Sequence, residues 1–134
     1  MPKVEEIEGI GPEYARKLAE VGIKTTEDLL NAGATKKGRK ELAEKTGISE
    51  KLILEWVNLA DLFRIKGIGS EYSDLLEEVG VDTVVELARR DPESLHAKII
   101  EVNTAKKLVR RPPTLSQVKN WVEQAKSLPR KIEY

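Results

Sequence analysis

The sequence predicts an all-α protein made of two copies of one small helical unit, packed together. Three observations predict it. A 24-residue segment recurs at a constant offset, helix start and stop signals fall at matching places in both copies, and strand signals are almost absent. Ile7 to Leu30 reads IEGIGPEYARKLAEVGIKTTEDLL and Ile65 to Ala88 reads IKGIGSEYSDLLEEVGVDTVVELA; they agree at 12 of 24 positions, 58 residues apart. Trp56-Val57 then pairs with Trp121-Val122 at an offset of 65, so the second copy carries about seven extra residues, placed between Asp91 and Pro113. The units are read as 1–62 and 63–134.

Within the first unit, Pro12 stands at a first helical position. Tyr14, Leu18 and Val21 recur at helical spacing, and Gly22 stops that helix. Thr25 or Thr26 caps a short helix through Leu30, with Glu27 and Asp28 in its favourable first turn. Thr35 caps a third helix through Lys45, which Gly47 ends. Ser49 opens the last helix, whose apolar stripe is Leu52, Trp56, Leu59 and Ala60. The second unit follows the same plan. Ser70 replaces Pro12, Thr83 caps, Pro92 opens another short helix, and Pro112-Pro113 breaks the chain before a helix capped by Thr114 or Ser116. Phe63–Lys66 holds no Gly/Ser linker, so the helix before it runs almost directly into the next hairpin.

Composition narrows the function. With 40% hydrophobic and 34% charged residues the chain folds rather than staying disordered. There is no cysteine, which excludes thiolate chemistry, and the single histidine, His96, cannot build a histidine-rich metal site. No Walker loop, zinc motif or nucleophile elbow is present, and Gly9-Ile10-Gly11 lacks the third glycine of a dinucleotide fold. The expectation is a protein that is not an enzyme and needs no cofactor. No apolar run is long enough to span a membrane and no signal-peptide core opens the sequence, so the expected location is cytoplasmic.

Ile-Xaa-Gly-Ile-Gly before a helix start is the motif that carries chemistry. Its glycines permit a tight turn and bring bare backbone to a ligand. The amides beyond it lie at a positively polarised helix end, which accepts a phosphate oxygen or another anion. The same glycines also serve a purely structural turn. Trp56, Trp121, Tyr14 and Tyr72 fall at core-facing positions, and His96 reads as a capping or packing residue.

This motif resembles the helix-hairpin-helix superfamily. The unit GIGPEYARKLAEVGIKTTEDLL, followed by LAEKTGISEKLILEW, resembles the N-terminal domains of strand-exchange recombinases. Over residues 5–134, including AGATKKGRKELAEKTGIS, LFRIKGIG, LHAKIIEVN and KKLVRRPP, the chain is similar to the domain of unknown function 4332 family. The resemblance implies a hairpin that grips a duplex backbone through the amides of Gly9 and Gly11, supported by Arg16 or Lys17, with Gly67 and Gly69 as the counterparts in unit two. Hairpin carbonyls hold a monovalent cation in related folds. Unit two departs from the pattern: Asp74 replaces Arg16, Leu75 replaces Lys17, and Glu71, Glu77 and Glu78 crowd the same helix, which argues against phosphate binding there.

Lys plus Arg and Asp plus Glu each number 23, yet the neutral total hides an uneven distribution. Residues 71–93 carry eight acids and two bases, a charge of −6; residues 98–134 carry nine bases and three acids, a charge of +6. Two basic clusters, Lys36, Lys37, Arg39 and Lys40, then Lys106, Lys107, Arg110 and Arg111, are expected either to meet phosphates without sequence preference or to be plain solvated surface. The favoured expectation is a sequence-independent nucleic-acid-binding module. The competing one is a protein-interaction or self-assembly module in which the acidic block meets a basic cluster.

Overall fold

The computed structural model describes residues 2–134. Among these residues there are eight α-helices and no β-strand: α1 (Pro12–Glu20), α2 (Thr26–Ala32), α3 (Lys36–Thr46), α4 (Glu50–Leu62), α5 (Ser70–Glu78), α6 (Val84–Ala88), α7 (Pro92–Lys106) and α8 (Leu115–Ser127). A 3₁₀ turn, Val4–Glu6, precedes α1, and an isolated antiparallel bridge joins Lys3 to Thr25. No described helix is long and apolar enough to cross a membrane.

Six of the eight helices begin where a side chain satisfies an orphan amide; α1 and α5 begin at Gly11 and Gly69, which have no side chain to offer. Thr25, Thr35, Thr83 and Thr114 accept from Asp28, Gly38, Glu86 and Gln117 N–H respectively. Asp28 and Gln117 return the bond to complete capping boxes. The N–H groups of Lys24 and Thr25 hold the Asp28 carboxyl below the usual carboxylate range, and Ser94 N–H does the same for Asp91, which caps α7. Helix α3 stops at Gly47, in the left-handed conformation at φ +75.

The chain forms two compact units. Unit 1 comprises the residues up to Asp61 together with Lys131–Tyr134; unit 2 is Leu62–Arg130. The last four residues, read from sequence as part of the second unit, thus belong to the first. They lie on it as a strap: Ile132 is buried, Glu133 N–H donates to Ala34 O at 2.7 Å, and Tyr134 Oη–H donates to Asn58 Oδ1 at 3.2 Å.

Unit 1 buries Ile7, Leu18, Leu29 and Ile53 almost completely. Helices α2 and α3 meet at very short range: a Cβ at Gly38 would run into the Ala32 carbonyl oxygen. Helix propensity alone favours Gly38→Ala by about 1 kcal/mol. Overpacking against fixed backbone costs more, so the expected outcome is destabilisation by about 1–3 kcal/mol. Urea denaturation followed by circular dichroism checks the sign; a stabilised variant would refute the close crossing.

Unit 2 packs α6 and α7 on α8, and α5 on α7. Here the structure corrects an expectation. The helix opened by Pro92 is not short: α7 has 15 residues, against 11 in α3. Asp91 caps it, Pro92 occupies its first turn, and Leu95 and Ile99 bury one face, so nothing halts it until Lys107 turns left-handed at φ +51. The other extra residues lie in the longer loop between α7 and α8. That conformation costs a residue with a Cβ about 1 kcal/mol, which the surrounding loop contacts must offset.

Candidate nucleic-acid interface

Each hairpin is built from buried isoleucines and exposed glycine. In unit 1, Ile7 and Ile10 are buried, Ile10 N–H donates to Ile7 O at 3.1 Å, and Gly9 turns the chain at φ +98. In unit 2, Ile65 and Ile68 are buried, Ile68 N–H donates to Ile65 O at 3.2 Å, and Gly67 sits at φ +100. A residue with a Cβ rarely adopts this region. Beneath each turn lies a tryptophan. A Cβ on Gly9 would sit 3.3 Å from Trp56 Nε1, and one on Gly67 would sit 3.0 Å from Trp121 Nε1. A tyrosine from the following helix tilts against each indole: Tyr14 on Trp56 at 5.0 Å and 60°, Tyr72 on Trp121 at 5.2 Å and 53°. Both tyrosines are half-buried.

Gly11 and Gly69 occupy the N-cap positions of α1 and α5. Their carbonyls receive Ala15 N–H and Ser73 N–H at 2.9 Å. The amides of the intervening first turn have no partner inside the helix. These are Glu13 and Tyr14 in α1, where Pro12 has none to offer, and Ser70, Glu71 and Tyr72 in α5. Hairpin two is held from outside as well. Gln124 accepts from Lys66 N–H at 2.9 Å and donates to Lys66 O at 3.0 Å, its amide oriented by Asn120 Oδ1 at 2.8 Å.

The basic residues divide into free and committed ones. Arg16 lies between Glu13 (3.0 Å) and Glu20 (3.3 Å), exposed pairs that add little stability but partly neutralise it. Lys17 is half-buried; Lys36, Lys37 and Lys40 are exposed on α3. Arg39 departs from its expected role. It is 4% exposed and donates to Gly33 O (2.9 Å), Ala34 O (3.3 Å) and Glu133 O (2.8 Å), with its guanidinium 6.0 Å from the Tyr134 ring centre. It binds the strap to unit 1 and is unavailable to a phosphate. Lys106 is engaged by Glu78 at 2.6 Å. Lys107, Arg110 and Arg111 are exposed, and no carboxylate of the described residues pairs with them.

The loop carrying these three is fixed by side chains. Asn103 donates to Val109 O (3.1 Å) and accepts from Val109 N–H (2.9 Å); His96 Nε2 lies 3.0 Å from Pro113 O; Tyr72 Oη–H donates to Arg111 O at 2.8 Å. His96 is therefore a packing residue. Sequence reasoning missed the last contact, which brings the basic loop to the first turn of α5. It also missed the indole N–H groups, which have no acceptor among the described residues. Among those residues no three carboxylate or imidazole groups gather as a metal site.

Residues 8–128 match the family described as Domain of unknown function (DUF4332), and the chain belongs to it. Neither the curated proteins nor the solved structures provide a match.

Proposed function

We propose that the chain is a non-enzymatic module that binds the nucleic-acid backbone without sequence preference, using two tandem helix-hairpin-helix units. The carrying observation is the pair of exposed glycine turns at φ near +100, each opening a helix whose first amides point away from its own hydrogen bonds. Backbone N–H groups at a positively polarised helix end are the donor set that a phosphate oxygen requires. Exposed Lys36, Lys37, Lys40, Lys107, Arg110 and Arg111 supply long-range attraction that amides lack. The net charge of zero keeps the interaction local to these surfaces and favours weak, salt-labile binding.

Fluorescence anisotropy with a labelled duplex of arbitrary sequence tests this. Each phosphate contact contributes roughly 0.9 to the slope of log affinity against log salt, so three or four contacts give a loss of about 40- to 150-fold between 50 and 200 mM salt. Two unrelated duplex sequences should bind alike. Absence of binding at low salt, or binding indifferent to salt, overturns the reading.

A protein-interaction role is the second reading. It is favoured by an apolar groove in unit 1 formed by Val4, Pro12, Ala15, Ala19 and Ile23, with Lys3, Arg16 and Lys24 around it. Salt-sensitive self-association seen by light scattering without nucleic acid would support it.

A further inference from the structure

The geometry points to hairpin two, not hairpin one, as the stronger phosphate site. We propose that the Ile65–Gly69 turn, the Trp121 indole N–H and the guanidinium groups of Arg110 and Arg111 together receive phosphodiester oxygens. This rests on the nucleic-acid reading and reverses the preference that the sequence alone suggests.

The first support, the indole, marks a donor site and is shared with Trp56 beneath Gly9; the amide count and the charge are what favour hairpin two. Trp121 is 2% exposed, its Nε1 faces Gly67, and it has no acceptor among the described residues. No fully enclosed side-chain nitrogen or oxygen among them lacks a partner, so this N–H reaches the surface beside the turn. A donor at the surface with no protein partner is free to bond an ionised acceptor, and such charge-assisted bonds are the stronger kind. The second support is the amide count. Ser70 adds an N–H at the position where Pro12 provides none.

The third support is charge. Hairpin one has Glu8 within its turn, and Arg16 beside it is held between Glu13 and Glu20. Hairpin two has Lys66 at the position of Glu8, and Lys106 occupies the Glu78 carboxylate on α5. A single tyrosine side chain, Tyr72, connects the α5 first turn to the Arg111 carbonyl. Asn103 and His96 hold the same loop, so its ordering cost is met before any ligand arrives. Glu71, in the first turn of α5, and Asp74 and Glu77 further along it are the opposing charges.

The chain has two tryptophans, so ¹⁵N-edited NMR gives two indole signals, which Trp56→Phe assigns. On titration with an unlabelled duplex, the Trp121 signal shifts by more than the Trp56 signal. Arg110→Glu with Arg111→Glu weakens duplex affinity by about tenfold or more, whereas Arg16→Glu with Lys17→Glu changes it by less than about threefold. Glu71→Gln strengthens binding. Circular dichroism verifies that the variants remain folded. A larger loss from the Arg16/Lys17 pair, or a Trp121 signal that stays fixed at saturation, overturns this proposal and leaves the nucleic-acid reading standing. Absence of duplex binding overturns both.

Discussion

Trp56→Ala lowers the free energy of unfolding by about 3–5 kcal/mol. The indole is 2% exposed and lies under the first hairpin, with the Tyr14 ring 5.0 Å away on one side and Gly9 against its nitrogen. Truncation removes the largest side chain of that cluster and leaves a cavity that a turn at φ +98 cannot relax to fill. Domains of this kind hold only about 5–15 kcal/mol in total, so the loss is a large share of the stability. Trp121→Ala in unit 2 produces a loss of the same order. Trp56→Phe keeps an aromatic partner for Tyr14 and costs less. Urea denaturation followed by far-ultraviolet circular dichroism measures each; a loss below about 1 kcal/mol for Trp56→Ala would contradict the packing described.

Arg39→Met destabilises by about 3 kcal/mol, although the residue lies in a run of lysines that tolerate change. Methionine retains much of the apolar stem that packs beside Gly33 but leaves the Gly33, Ala34 and Glu133 carbonyls without the guanidinium. Ala34 O keeps the Glu133 N–H; the buried Gly33 O and the part-buried Glu133 O lose the guanidinium, at about 1–3 kcal/mol for a buried acceptor left unpaired, and the loss is tempered because the desolvated charge leaves as well. Arg39→Lys does not restore stability, because one ammonium cannot reach three carbonyls with the geometry of a planar fork. Lys36→Ala and Lys40→Ala, on the exposed side of the same helix, stay within about 0.5 kcal/mol of wild type. Thermal denaturation of the set checks the contrast. Equal melting temperatures for Arg39→Met and Lys40→Ala would show that the strap adds nothing.

These cases mark how far the sequence is legible. The helices were readable because their signals are local: a threonine, an amide three residues on, a glycine at the end. The turn glycines were readable for the same reason, at Gly9 and again at Gly67. Arg39 was not, because its decisive acceptor, Glu133 O, lies 94 residues away and nothing in KKGRK separates a buried arginine from exposed lysines. The length of α7 was hidden because Pro92 marks where a helix starts but not where it stops. In the candidate site, the basic residues were visible as a list but not their commitments. Glu13 and Glu20 occupy Arg16, while no carboxylate of the described residues occupies Arg111.

The strap carries a consequence for biogenesis. The N-terminal body is discontinuous in sequence, with the whole of Leu62–Arg130 inserted before its closing segment. As the chain leaves the ribosome, most of that body emerges before the inserted one yet lacks its strap until Lys131–Tyr134 has been synthesised, so Arg39 waits through the translation of the inserted body for its final acceptor. A clone cut after residue 62 therefore yields an unfinished piece. Restoring it requires the KIEY segment, fused or supplied as a peptide.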